Sequence, residues 1–158
     1  MRVLVTGASS GIGRAFALRL GADGNDLVVV GRRADRLDEL AAALPRVTPI
    51  VADLATPGGI DAVAAACGSV DMLVNNAGIA HYMAFADLPL DKLHELLGVK
   101  VVAPTILAHA AVPGMLARGS GTIINVAGML AYSGPVKLPL RARCIARRSR
   151  ISSRFRRR

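Results

Sequence analysis

Three closely spaced glycines after a short apolar run constrain this chain more than any other feature. Residues 3–5 are Val-Leu-Val, which is typical of a short buried strand. Gly7, Gly11 and Gly13 follow, and apolar residues then recur at helical spacing. Glycine lets a backbone turn tightly and approach a phosphate closely, and a helix N-terminus directs free N–H groups at such a group. The pattern predicts a strand, a tight turn and a helix, although an ordinary strand-to-helix turn can also carry such glycines.

The chain up to residue 138 continues to alternate between apolar runs and helical patterns. Further strands are predicted over 27–30, 47–51, 71–74 and 122–126. Helices are predicted over 34–44, 57–67, 88–97 and 101–116, with a break or bend around Gly98 and Pro104. This order predicts an α/β fold, a doubly wound parallel sheet with helices on both faces. Ligands bind such sheets at the C-terminal strand ends, near the point where strand order reverses.

Two short motifs carry a resemblance to a known family. Thr6 to Gly13 resemble the TGxxxGxG cofactor loop of the short-chain dehydrogenase/reductase family, although the general dinucleotide fingerprint is G-x-G-x-x-G. Residues 75–78, Asn-Asn-Ala-Gly, match the family's NNAG element at the end of a predicted strand, although alone they could form a turn. The resemblance covers about residues 2–140. It implies a Rossmann-like NAD(P)-binding domain over 1–138, incomplete at its C-terminus.

The residues at the end of the second predicted strand indicate which nicotinamide cofactor the chain prefers. Gly31 is followed by Arg32 and Arg33, with no acid at this position. An acid here would bond the ribose 2′-hydroxyl, whereas an arginine accommodates a 2′-phosphate. The sequence therefore predicts NADP(H) in preference to NAD(H), with Arg32 as the favoured contact. The alternative is a solvated arginine pair at a helix start.

Other expected cofactor contacts come from the strand ends and the resemblance. Asp53 follows the third strand and could be a simple helix cap, but the resemblance implies a contact near the adenine ring. The family's NNAG residues let the nicotinamide ribose lie against the backbone. The full expected cofactor-binding set is Gly7, Ser9, Ser10, Gly11, Ile12, Gly13, Arg32, Arg33, Asp53, Leu54, Asn75, Asn76, Ala77 and Gly78.

The family's catalytic residues do not align with this sequence. The resemblance implies hydride transfer between a nicotinamide and an alcohol or ketone, using a Ser, an Asn and a Tyr-x-x-x-Lys pair. A phenol left near pKa 10 is a poor base at neutral pH, so the Lys is essential. Gly128 stands at the Ser position and Lys100 at the Asn position, while the Tyr is due near Cys144. The chain is therefore predicted to be an oxidoreductase by resemblance that is inactive or strongly impaired; the alternative is a non-catalytic dinucleotide-binding remnant.

The net charge of +9 lies in one terminal segment. Residues 141–158 contain nine arginines and no acid, whereas basic and acidic residues balance in the rest of the chain. Residues 139–158 are predicted to be a basic, disordered tail. Nucleic-acid binding through this tail is a third interpretation. It is not favoured, because the tail has one aromatic residue, Phe155, and no recognisable nucleic-acid motif.

The remaining polar residues point to few further functions. Cys67 and Cys144 make no disulfide framework, and Cys67 is expected to be a small buried hydrophobe. His81, His94 and His109 lack metal-ligand spacing with acids, so no metal site is expected. No apolar run reaches the length of a membrane span, and there is no signal-peptide pattern. We expect a cytoplasmic protein with a small-molecule substrate and no membrane partner, and homo-oligomer formation is left open for a complete enzyme.

The abrupt change of composition after Leu138 predicts a shifted reading frame. Codons TGT ATC GCG CGA CGA AGT CGT ATA would encode residues 144–151. Read from the last base of TGT, they encode Tyr-Arg-Ala-Thr-Lys-Ser-Tyr, which contains Tyr-x-x-x-Lys where the family needs it. Sequencing the coding DNA tests this. A second frame without the Tyr–Lys motif and the remaining helix and strands would contradict the prediction and leave a genuine basic tail.

Overall fold

The computed structural model describes residues 1–128 and 153–156. Strands and helices alternate along the first part of the chain, as the sequence predicts. The elements are β1 (Arg2–Thr6), α1 (Gly11–Ala22), β2 (Asp26–Gly31), α2 (Ala34–Ala43), β3 (Val47–Val51), α3 (Pro57–Cys67) and β4 (Met72–Asn75). They are followed by a 3₁₀ turn (Phe85–Asp87), α4 (Leu90–Leu97), a π-helical segment (Gly98–Val102), α5 (Ala103–Ala117), β5 (Ser120–Asn125) and β6 (Ser153–Arg156).

The sheet has the strand order β3-β2-β1-β4-β5-β6. Strands β1 to β5 are parallel, and Val5 of β1 lies in register with Val29 of β2 and Val74 of β4. From β1 the chain moves outward to β3, and it then returns to the other side of β1 to form β4. Strand order therefore reverses between β1 and β4, and the predicted doubly wound α/β fold is confirmed.

Helices cover both faces of this sheet, which explains the continuous apolar runs of its strands. Successive strand residues point to opposite faces. Leu4 and Leu73 belong to a buried cluster that includes Leu107 of α5. Val3 and Val29 belong to a second buried cluster, which also contains residues of α1 and α2. Both predicted helix layers are therefore present, and the sheet lies between them.

Strand β6 differs from the prediction of a disordered tail over residues 139–158. It pairs antiparallel with β5, and Ser153 lies opposite Ile123. Without this pairing β5 would present a row of unpaired backbone N–H and C=O groups, which favours the addition of a strand. The division of the chain into 1–138 and a basic tail from 139 to 158 stays a prediction.

The helical region before β5 is continuous rather than broken. The π-helical segment links α4 directly to α5, and Pro104 is the second residue of α5. A Cβ at Gly98 would come within 3.1 Å of the Ala55 carbonyl oxygen, so this glycine allows the helix to lie close to the segment after β3. The helix is therefore not broken around Gly98 and Pro104, and its turn is widened there.

This helical region also corrects the expectation that no segment is long and apolar enough to span a membrane. Residues Leu90–Ala117 meet that criterion by length and composition, with a mean hydropathy of 1.6 over the best window. Leu107, Ala111 and Met115 are fully buried at helical spacing in the cluster that also holds residues of α3. Packing against the sheet and α3 therefore accounts for their apolar character.

Cys67 ends α3 inside the same cluster. It is fully buried, and burial raises the pKa of its thiol to about 11. The thiol therefore stays protonated at neutral pH, and a protonated thiol is a poor nucleophile. The expectation that Cys67 is a small buried hydrophobe is confirmed.

Candidate cofactor-binding site

A cavity of about 500 Å³ lies at the C-terminal ends of the central strands. It is next to the reversal of strand order between β1 and β4, where ligands bind doubly wound sheets. Most of the expected cofactor-binding residues lie on its wall. These are Gly7, Ser9, Ser10, Ile12, Arg32, Arg33, Asp53, Leu54, Asn76, Ala77 and Gly78. Gly11, Gly13 and Asn75 are not on the wall, and their roles differ from those of the others.

The glycines of the first loop have two separate tasks. Gly7 and Gly11 have φ angles of 68° and 54°, in the left-handed region that L side chains rarely adopt. Gly13 lies inside α1, and a Cβ at this position would collide with the Gly7 carbonyl oxygen and the Asn76 side chain. Gly13 therefore allows α1 to pack closely against the loop and the end of β4, and it supports the cavity without lining it.

The N-terminus of α1 is open to an anionic ligand. Ser10 is the N-cap residue, and its side chain makes no cap hydrogen bond within the described residues. The first turn contains no acidic residue. Free N–H groups and the positive end of the helix dipole favour an anion here. Ser9, Ser10 and Ile12 line the cavity at this point, so the site fits a phosphate group.

Thr6 joins the glycine loop to the end of β4. Its buried hydroxyl accepts hydrogen bonds from the backbone N–H groups of Asn76 (2.9 Å) and Ala77 (3.0 Å), and it donates to the Val74 carbonyl (3.2 Å). The Asn76 amide donates back to the Thr6 carbonyl at 3.0 Å. In the sequence, Thr6 is visible only as the first residue of the loop motif. Its hydroxyl fixes the two strand tips that border the cavity.

Asn75 links β4 to β5. Its side-chain amide donates to Asn125 Oδ1 at 3.0 Å, and Asn75 is buried away from the cavity wall. The two asparagines at the end of β4 therefore point in different directions, one toward β1 and one toward β5. Asn75 helps to hold the sheet together beside the cavity, and its expected contact with the cofactor would be indirect.

The two arginines at the end of β2 differ in their contacts. Arg33 donates to the Ser9 carbonyl (3.0 Å) and to the Ser9 hydroxyl (3.3 Å), which ties β2 to the glycine loop. Arg32 Nη1 lies 3.9 Å from Asp53 Oδ2 and 3.8 Å from Glu95 Oε1, and the Arg32 side chain is 57% exposed. Both arginines are exposed at the start of α2, and Arg32 is held by the looser contacts.

Asp53 does not cap the next helix. Thr56 is the N-cap residue of α3 and accepts a hydrogen bond from the Gly59 N–H at 3.1 Å. Asp53 Oδ1 accepts from the Ala55 N–H at 2.9 Å, which directs the other carboxylate oxygen toward Arg32. The helix-cap interpretation of Asp53 is wrong in this respect, and the carboxylate lies on the cavity wall as expected.

Glu95 is a neighbour of the site that the sequence analysis misses. This residue of α4 contacts Arg32, and its Oε2 atom lies 3.2 Å from Lys92 Nζ and 3.4 Å from His81 Nε2. Three basic side chains thus surround one partly buried carboxylate. The Lys92–Glu95 spacing is a local helical pair, but the contact of Glu95 with Arg32 of a distant strand end arises only in the folded chain.

The structure also describes Lys100 and Gly128, the two residues that differ from the family's catalytic pattern. Lys100 lies in the π-helical segment and lines the cavity, and burial lowers the pKa of its ammonium. Gly128 follows β5, and among the described residues nothing lies within 4 Å of a Cβ built at this position. The expected tyrosine position near Cys144 lies outside the described residues. Within residues 1–128 and 153–156, no group of His, Cys, Asp and Glu is arranged to hold a metal.

Comparison with known proteins agrees with this geometry. The short chain dehydrogenase family model matches residues 1–139. The chain belongs to this family. It is 37% identical over 126 residues to L-xylulose reductase of Mus musculus, covering 79% of this chain and 52% of the relative.

Solved structures give the same result. A short-chain dehydrogenase from Sphingobium yanoikuyae in complex with NADPH superposes with a TM-score of 0.88 and 33% identity, covering 94% of this chain and 61% of that one. L-Sorbose reductase from Gluconobacter frateurii, complexed with NADPH and L-sorbose, superposes with a TM-score of 0.83 and 35% sequence identity. The match covers 92% of this chain and 59% of that one. The chain spans about half the length of the curated relatives it matches.

Replacement of Thr6 by Val should loosen the site. The change keeps the shape of the side chain but leaves the Asn76 and Ala77 N–H groups without their acceptor. We expect the free energy of unfolding, measured with urea, to fall by about 2 kcal/mol. Thr105→Val is the control. Among the described residues this exposed hydroxyl bonds only to the Val101 carbonyl one turn earlier, so a change within about 0.5 kcal/mol is expected. Equal effects of the two substitutions would contradict the role of Thr6.

Proposed function

We propose that this chain binds a nicotinamide dinucleotide in the cavity beside the reversal of strand order. The observation that carries the proposal is that three strand ends contribute to one cavity: the open N-terminus of α1 after β1, Arg32 after β2 and the Gly78 backbone after β4. The diphosphate would lie at Ser10, where the N–H groups of α1 are free. The adenosine would extend toward Asp53 and Leu54, and the other ribose would lie on the small residues after Asn76.

We propose further that NADP(H) is preferred over NAD(H). Arg32 supports this preference, because an arginine–phosphate contact is charge-assisted and can be bidentate. Its carboxylate neighbours lie at 3.8 and 3.9 Å, which are loose contacts for an ion pair, so the guanidinium can turn to a phosphate. Two related solved structures hold NADPH, which is consistent with the same choice in this chain.

The reaction class follows from the family. The proposed substrate is a small alcohol or ketone, which would exchange a hydride with the nicotinamide. Two relatives are named for the reduction of a keto sugar, L-xylulose and L-sorbose, and this supports a small-molecule carbonyl substrate. A cytoplasmic location and homo-oligomer formation stay predictions.

A second candidate function is dinucleotide binding without catalysis. Gly128 favours it, because this residue follows β5 at the position where the family carries its serine and offers no hydroxyl. Dinucleotide binding requires only the glycine loop, Arg32 and the β4 tip. Hydride transfer also requires an acid/base that the Tyr-x-x-x-Lys pattern would supply, and this sequence does not contain the pattern.

Arg32→Asp should reverse the cofactor preference. The parent chain is expected to bind NADPH more tightly than NADH in calorimetric titrations. The substitution removes the cation and places a carboxylate near the 2′-phosphate, so NADPH affinity should fall by at least about tenfold while NADH affinity is retained. Arg36→Asp is the control, because Arg36 pairs with Asp35 and Glu39 on its own helix and is not on the cavity wall. Equal parent affinities for NADPH and NADH would overturn the proposed preference.

The 158-residue chain should show little or no ketone reduction even when it binds NADPH. Gly128→Ser restores one hydroxyl, but we expect it to leave turnover near background because the catalytic groups act as a unit. The measurement is NADPH oxidation with a panel of small ketones, with binding verified in the same samples. Robust reduction by the parent chain would refute the prediction and would remove the non-catalytic alternative.

A further inference from the structure

Lys100 is a cation inside the cavity whose role the fold does not explain. Its side chain lines the same wall as Gly78 and Val99. A Cβ built on Gly78 would lie 3.0 Å from Lys100 Nζ, so the ammonium rests directly over the Gly78 backbone. Within residues 1–128, Lys100 has neither a salt bridge nor a hydrogen-bond partner. A cation placed in this way gives no evident stability to the folded chain.

The other charged groups of the cavity differ from Lys100 in this respect. Arg33 is bonded to Ser9, and Arg32 lies between Asp53 and Glu95. These groups stand at the ends of β2 and β3, whereas Lys100 lies over the segment that follows β4. The tips of β2 and β4 are separated by β1, which corresponds to about 10 Å between strand axes. The cavity therefore has cationic groups on both sides of the strand-order reversal.

The backbone around Lys100 is unusual as well. The residue lies in the middle of the π-helical segment Gly98–Val102, between α4 and α5. Such widened turns occur frequently at functional sites, because they redirect a side chain that a regular helix would point elsewhere. Gly98 and Val99, the two residues that precede Lys100 in this segment, are buried.

We propose that Lys100 is a cofactor-binding residue whose ammonium donates to oxygen atoms of the nicotinamide half of the dinucleotide where that half crosses Gly78. The inference rests on the proposed function and makes it more specific. Arg32 would hold the adenosine half at the 2′-phosphate, and Lys100 would hold the other half through a ribose hydroxyl or phosphate oxygen. Partial burial lowers the pKa of Lys100, and an oxygen-rich ligand would restore favourable surroundings for the charged ammonium.

Lys100→Met tests whether the ammonium contacts the nicotinamide half or the adenosine half of the ligand. Methionine keeps an unbranched apolar stem and removes the ammonium. NADPH and 2′,5′-ADP, which carries only the adenosine half with its phosphates, are titrated into the parent chain and the variant at fixed ionic strength. We expect the variant to lose about tenfold in NADPH affinity, because a hydrogen bond from a charged group is lost, and to keep 2′,5′-ADP affinity within about twofold.

Arg19→Met is the matched control for the loss of one positive charge. Arg19 is 80% exposed on α1, pairs with Asp23 and does not line the cavity. Both ligands should bind this variant as they bind the parent. Unchanged NADPH binding by Lys100→Met overturns the role of Lys100 while leaving the proposed function intact. An equal loss of both ligands overturns the placement at the nicotinamide half, and a parent chain that binds neither ligand overturns the proposed function together with the inference.

A second measurement needs no substitution. The chain has three lysines, Lys92, Lys100 and Lys137, so acetylation by acetic anhydride can be assigned to each by mass spectrometry. Saturating NADPH should slow acetylation of Lys100 at least about threefold, because a bound oxygen acceptor holds the amine protonated and covered. 2′,5′-ADP should leave the acetylation rate of Lys100 unchanged. Equal acetylation of Lys100 with and without NADPH contradicts the proposal.

Discussion

The tips of β1 and β4, which border the cavity, are joined by one buried hydroxyl at the end of the backbone ladder between the two strands. The Thr6 hydroxyl accepts hydrogen bonds from two backbone N–H groups after β4 and donates one to the Val74 carbonyl. Gly13 permits this arrangement, since any side chain there would push α1 away from the loop and from Asn76. The position of the glycine loop, the opening of α1 toward the cavity and the exposure of the β4 backbone all depend on this contact.

The charges around the cavity are arranged so that few of them are left without compensation. Arg32 lies close to the carboxylates of Asp53 and Glu95. Glu95 also contacts Lys92 and His81. A ligand phosphate at Arg32 would meet a guanidinium that is already in place but is weakly held. Binding would then require a small rotation of the guanidinium and no large rearrangement, which favours affinity through pre-organisation.

The sequence predicts the parts of the site that are determined locally. A glycine loop after an apolar run and small residues at a strand end are visible in the printed residues, because turn and strand geometry restrict the residue types at those positions. The positions of Glu95 and Lys100 beside the cavity are not visible in the sequence, since they depend on how α4 and the π-helical segment lie against distant strand ends. The continuous helix was missed for a similar reason: Gly98 breaks an isolated helix, but here it packs against Ala55.

The contact between Thr6 and Asn76 also has a consequence for folding kinetics. It joins residues 70 positions apart, so the cavity cannot form until the chain through β4 has been assembled. Long-range pairing of this kind closes a large loop and slows folding. A dinucleotide that binds only the assembled cavity would stabilise the native state by mass action. Cofactor concentration would then influence how much of the chain is folded, in addition to how much of it is occupied.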